Sequence, residues 1–204
     1  MPWEDRERLG FLPAFSQTWS DSVFHPVEFF RRLPKSGNVG SALLYAILIG
    51  VTGGILSLFW QYLFWDSWSS LPELERMLGQ EISRDLLGFV ALLIPISTVI
   101  FVFIASVIYH VCLVITGSSR HGFEATLRGF CYSYGPYLFV LVPMCGGLIA
   151  LIWQYILMVI AWRELHESTT GRVLLAVFLP LLLCCGAILV FAWSLAGWLS
   201  RFAQ

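Results

Sequence analysis

Hydrophobic positions in this chain fall in long unbroken blocks rather than in alternation. Residues 36–65, 86–119, 129–162 and 173–200 contain no Asp, Glu, Lys or Arg. Each block exceeds the roughly 20 apolar residues needed to cross a bilayer core about 30 Å thick. The first, "VGSALLYAILIGVTGGILSLFWQYLFW", predicts one helix over 39–65 that closes on Trp60, Tyr62 and Trp65, aromatics suited to a membrane interface. The second predicts a helix over 86–115. Pro95 lies inside it and should kink it, because the ring removes a backbone donor and crowds the preceding turn. The last predicts a helix over 173–198, with Pro180 in its first half.

The third block is too long for one crossing. "VPMCGG" at 142–147 supplies strong punctuation in Pro143 and Gly146-Gly147, so two spans are expected, over 125–142 and 145–162. The expectation is an all-α polytopic protein, a five-helix transmembrane bundle occupying 24–200. Basic residues orient it. With five spans, Arg6, Arg8, Arg31, Arg32, Lys35, Arg120, Arg128, Arg163 and Arg172 share one side, and Arg76, Arg84 and Arg201 share the other. Four spans would divide the twelve basic residues eight to four rather than nine to three. The positive-inside rule therefore favours five spans and a cytoplasmic N-terminus.

Composition agrees. Hydrophobic residues are 58% of the chain and charged residues 12%, against about 25% charged in a soluble domain. A net charge of −1 without a basic run gives no basis for a nucleic-acid partner. Residues 1–35 lack the apolar core of a cleavable signal, so the first span is expected to direct its own insertion. Cys112, Cys131, Cys145, Cys184 and Cys185 lie in or beside spans and read as packing residues rather than a disulfide framework.

Outside the spans, residues 1–23 show no periodicity and are expected to be mobile. "FHPVEFFRRLPKSG" interleaves Phe24, Val27, Phe29, Phe30 and Leu33 with Arg31, Arg32 and Lys35. It predicts a surface helix over 24–35, with Phe side chains in the bilayer and basic heads toward lipid phosphate. On the opposite side, Ser70 and Glu73 have capping-box spacing before a Leu71, Leu74, Leu78, Ile82 stripe. That predicts an amphipathic, non-cytoplasmic helix over 71–85. In the first span, Gly50 and Gly54 have GxxxG spacing, which serves either packing within the chain or a homo-oligomer contact.

Signs of chemistry are sparse. HExxH, GxSxG and paired Cys motifs are missing. In "RELHE", Glu164 and His166 would point about 200° apart on a helix, which is not a preformed metal site. Ser106 and His110 are four apart, but nothing supplies an oxyanion hole. Neither enzyme activity nor a cofactor is expected. Pro136 breaks the third span beside Tyr132 and Gly135, and a broken helix can line a substrate site.

"HPVEFFRRLP", "GFEATLRGFCYSYGP", "VPMCGGLIALIWQ" and "ELHESTTGRVLLAVFLP" occur in this order over residues 24–190. Together they resemble the Yip-domain family of Ypt/Rab-GTPase-interacting integral membrane proteins, in its prokaryotic branch. The matching positions are Gly122, Phe123, Thr126, Arg128, Tyr132, Pro136, Gly146, Gly147, Glu164, His166, Ser168, Thr170, Gly171 and Arg172. The resemblance implies a multi-span domain, usually of five spans, in a bacterial or archaeal plasma membrane. Eukaryotic members bind small GTPases, often as hetero- or homo-oligomers, and carry a long polar N-terminal region. This sequence shows no such region, so the resemblance does not carry a GTPase partner over.

One polar network is expected where loops 117–128 and 163–172 meet. Glu124 precedes Arg128 by four, the favourable order for a helical ion pair, and Arg163 and Glu167, also four apart, could pair if the helix over 145–162 continues past the membrane. Alternatively Arg128 meets Glu164, with His166, Thr170 and Arg172 alongside. The leading functional expectation is a membrane scaffold that organises a protein partner or the bilayer lipids from its cytoplasmic face. The alternative is a transporter, channel or lipid-handling protein with its site near Pro136.

Overall fold

The computed structural model describes residues 1–64 and 85–202, and all regular structure among them is helical. In chain order the helices are α1 (Arg6–Leu9), α2 (Phe11–Phe24), α3 (Pro26–Arg32), α4 (Val39–Leu63) and α5 (Asp85–Ile115). There follow α6 (Phe123–Ser133), a 3-10 helix (Gly135–Leu141), α7 (Gly146–Leu165) and α8 (Thr170–Phe202). The helix expected over 71–85 lies outside the described residues, apart from Asp85. Among the described residues, three helices are long and apolar enough to cross a membrane: Val39–Leu63, Gly88–Ile115 and Gly146–Leu165. Thr170–Gly186 is a shorter apolar stretch at the start of α8.

The bundle is arranged for lipid outside and close packing inside. Along α5, Leu92, Ile96, Ile100, Phe103, Ile104 and Val111 are exposed, whereas Thr98, Ala105, Ser106 and Cys112 are buried. Most large apolar groups of α5 face outward, and the buried positions include small and polar residues beside Val102 and Leu113. The buried stripe of α4, Ala42, Tyr45, Ala46, Ile49, Gly50 and Gly53, follows helical spacing and includes small residues that admit neighbours. A Cβ on Gly50 would collide with Thr98 Cγ2, and one on Gly54 would come within 2.8 Å of Ile94 Cγ2. The Gly50/Gly54 pair therefore serves contact between α4 and α5 of one chain. Gly53 likewise admits the Tyr137 ring from the 3-10 helix.

The segment expected as a span over 125–142 is helical but divided. Every residue from Ala125 to Ser133 is buried, so α6 is enclosed by protein, packed against α4, α5 and α7. It ends at Ser133 because Pro136 cannot donate a backbone N–H and disfavours helical geometry at Gly135. The chain continues as the tighter 3-10 helix, then turns through Val142–Cys145 with Met144 at positive φ before α7 begins. Pro95 and Pro180 both lie inside continuous helices.

The N-terminal segments differ from the sequence expectation. Residues 1–23, expected to be mobile, form α1 and most of α2 and are packed onto the bundle. The cause is Trp3, which is fully buried against Phe11, Phe15 and Tyr45. Its backbone N–H donates to Thr18 Oγ1 at 2.9 Å, and its indole Nε1 donates to the Ser41 carbonyl at 2.7 Å. Helix α3 covers Pro26–Arg32 within the expected 24–35 stretch, but Phe29, Phe30 and Leu33 point into the protein rather than into lipid. They have a better partner there: Phe29 packs edge-to-face on Tyr132 at 5.4 Å.

Candidate functional site: a buried arginine under a polar cap

At the end of the bundle where α3 packs against α7, three chain segments converge. Arg31 on α3 pairs with Glu164 at 3.3 Å, and Lys35 pairs with Glu167. The Gly37 backbone N–H donates to Glu124, and His121 in the loop before α6 donates from its backbone to His166. Loops 117–122 and 166–169 thus lie at the same end, joined through the segment that precedes α4.

Beneath this cap lies Arg128, on the enclosed helix α6. Its side chain is 0% exposed, and its Nη2 donates to Glu4 Oε1 at 2.7 Å, with Glu4 itself 8% exposed. Tyr132, one turn further along α6, donates its hydroxyl to the same oxygen at 3.2 Å. Asn38 donates its amide to Glu4 Oε2 at 3.5 Å. Asn38 adopts a left-handed backbone (φ 53°) as it caps α4, a conformation Asn tolerates better than most residues. A buried guanidinium is costly unless paired, so Glu4 is the group that makes burial of Arg128 tenable.

A second polar cluster ties α5, α6 and α7 together. His110 Nδ1 lies 2.8 Å from Thr126 Oγ1, and Thr126 Oγ1 lies 2.9 Å from His166 Nε2. The His121 backbone N–H can only donate, and it reaches His166 Nδ1 at 3.2 Å. His166 must therefore be neutral with its proton on Nε2, which donates to Thr126. The Thr126 hydroxyl is then left to donate to His110 Nδ1. Burial, reinforced by His110 and His121, pushes the His166 pKa down to about 4. The helix ends on either side are built for this meeting. Gly117 (φ 66°) closes α5, with Ser118 N bonded to the Leu113 carbonyl at 2.8 Å. Glu167 (φ 49°) closes α7, with Ser168 N bonded to the Arg163 carbonyl at 3.1 Å.

The expected network is thus divided among several partners. Arg128 meets Glu4 instead of Glu124 or Glu164. Glu124, in the first turn of α6 and only partly buried, accepts from the Gly37 backbone N–H, while Arg128 one turn further in is fully buried. Glu164 is held by Arg31 and by its neighbour Arg163, at 2.6 Å. His166 joins the histidine cluster, while Thr170 and Arg172 stand exposed in the first turn of α8. Tyr132 belongs to the Arg128 site. Gly135 and Pro136 are buried, and the Gly135 carbonyl accepts from Trp19 Nε1 at 2.9 Å. Sequence reasoning missed Glu4, Trp3 and Asn38. The available signal was chemical: a cation in an apolar chain needs an anion, and Glu4 had no other assignment. Among the described residues, no group of three or more His, Cys, Asp or Glu is arranged to hold a metal ion.

An all-helical bundle, apolar outside and carrying an ion pair under a polar cap, defines a polytopic integral membrane protein. The Yip1 domain family model matches residues 20–192, and the chain belongs to that family. No curated protein and no solved structure matches it.

Proposed function

We propose that the chain is a membrane scaffold that organises a protein partner or the surrounding lipids from its cytoplasmic face. The carrying observation is the polar cap: α3 and the loops before α6 and α8 interlock at one end of an otherwise apolar body. Such an end offers a defined surface to a partner, and its excess of basic residues over the opposite side supports a cytoplasmic location. A five-span path is supported by length. Helix α6 rises about 16 Å and the 3-10 helix about 14 Å, together near the thickness of the bilayer core. Helix α8, at 33 residues, is long enough for the last crossing. The prokaryotic plasma membrane is the proposed location. Native mass measurement after purification in mild detergent tests the reading. A stoichiometric protein partner or a fixed lipid complement is expected, and a bare monomer under all conditions would refute it.

A second reading, lipid or solute handling, is favoured by a cleft of about 220 Å³ beside the helix break. Gly50, Gly54, Ser97, Thr98, Tyr134 and Tyr137 are among its lining residues. A lipid or solute retained there and lost in Gly54→Leu would support it over the scaffold.

A further inference from the structure

We propose that Arg128, Tyr132 and Asn38 form a receptor for a phosphate oxyanion, and that Glu4 is its tethered occupant. All three groups present donors, and all three meet on the two carboxylate oxygens of Glu4. They belong to α4 and α6, the body of the bundle, whereas the acceptor arrives on the N-terminal segment. A site made only of donors at the N-terminus of a 25-residue helix is an anion site in chemical terms, whichever anion fills it.

The carboxylate does not use the site fully. Arg128 Nε and Nη1 are buried and have no protein partner, so Glu4 engages the guanidinium through Nη2 alone. A phosphate, with more acceptor oxygens in a tetrahedral array, can engage donors that a carboxylate leaves idle. The segment carrying Glu4 also presents Leu9, Phe11 and Leu12 to the surroundings, all exposed. Apolar side chains beside a phosphate site suit the headgroup level of a bilayer. An anionic phospholipid is one source of the ligand and free phosphate the other. Displacement of Glu4 would then remove one anchor of the N-terminal segment and leave Trp3 to hold it, so ligand binding and loosening of the segment are coupled. This inference stands whether or not a protein partner exists.

The test uses the full chain in mild detergent. Calorimetry measures binding of short-chain phosphatidic acid, short-chain phosphatidylcholine and inorganic phosphate to wild type, Glu4→Gln and Tyr132→Phe. Trypsin cleavage after the exposed Arg8 reports loosening of the segment. Glu4→Gln should bind phosphatidic acid roughly ten-fold tighter than wild type, the scale of removing one charge-assisted competitor. Tyr132→Phe keeps the ring packing and should bind several-fold more weakly, by loss of one donor. Phosphatidic acid should speed cleavage at Arg8 in wild type, and phosphatidylcholine should not. Inorganic phosphate acting alone would assign free phosphate as the ligand. Inactivity of inorganic phosphate beside active phosphatidic acid would assign the lipid. Equal affinities across the three proteins, cleavage insensitive to both phosphates, or equal binding of phosphatidylcholine would each overturn the proposal. So would loss of binding in Arg32→Gln, since Arg32 lies outside the site, paired with Glu28.

Discussion

Glu4 and Arg128, separated by 124 positions in the chain, meet at 2.7 Å beneath the polar cap. Both side chains are almost withdrawn from solvent. The asymmetry of a buried pair follows from this. Forming it yields little against a well-packed apolar alternative, whereas breaking it strands a charge. Glu4→Gln is therefore expected to destabilise the folded protein by about 3–5 kcal/mol. Arg128→Met added to Glu4→Gln should recover a substantial part, because the stranded charge is gone. Unfolding in mixed micelles with increasing denaturing detergent measures both. Equal stability of wild type and Glu4→Gln would show that the pair does not hold the N-terminal segment.

The glycines of α4 give a graded prediction on a single helix. Gly50 faces Thr98 so closely that a Cβ has no room, whereas nothing lies within 4 Å of a Cβ built on Gly40. Gly50→Val should cost about 1–3 kcal/mol by forcing α4 and α5 apart. Gly40→Ala should be neutral or stabilising, by up to about 1 kcal/mol from helix propensity. Micelle unfolding of the two variants against wild type checks the contrast. If Gly50→Val matched Gly40→Ala, the α4–α5 contact would not be where the structure places it.

Acidification should act through His166. Its pKa falls from an ordinary value near 6.5 in the unfolded chain to about 4 in the fold. Between those values the unfolded chain binds more protons, so stability rises with pH across that window. The contribution is fully present above about pH 6.5 and is lost as pH falls toward 4. Geometry gives the same sign, since a proton on Nδ1 would face the His121 N–H that now donates to it. His166→Gln, which cannot titrate, should flatten the part of the stability profile between pH 6.5 and 4. A wild-type slope unchanged by this substitution would remove His166 as its origin.

The sequence was informative where one physical rule dominated and poor where partners were distant. Uncharged blocks marked α4, α5, α7 and α8 because lipid tolerates only satisfied, apolar helices. Pro136 marked the end of α6, and "VPMCGG" marked the turn before α7, because proline and glycine act locally. Arg128 was legible as important, but its partner was not. The i+4 rule offered Glu124 and the converging loops offered Glu164, while the structure uses Glu4. Spacing rules reward neighbours in sequence, yet Glu124 is taken by the Gly37 backbone and Arg128 by Glu4, a partner 124 positions away. Phe29 and Phe30 failed for a related reason. An apolar ring beside Arg31 and Arg32 satisfies a lipid interface or a protein core equally well, and distant partners such as Tyr132, on which Phe29 packs, decide between them.

Glu167 brings two opposed effects to one residue. It closes α7 with φ at 49°, a left-handed conformation that glycine adopts freely and glutamate does not. It also pairs with Lys35, and that ammonium holds the Glu167 carboxylate below its ordinary pKa. Exposed pairs contribute little and weaken with salt, whereas backbone strain is indifferent to salt. Glu167→Gly is therefore expected to stabilise the protein, and more clearly at high ionic strength, where the lost pair counts least. Lys35→Ala removes only the pair, so it should destabilise slightly at low salt and have no effect at high salt. Thermal unfolding of both variants at two salt concentrations measures the balance. Destabilisation by Glu167→Gly at high salt would mean that Glu167 does more at the end of α7 than pair with Lys35.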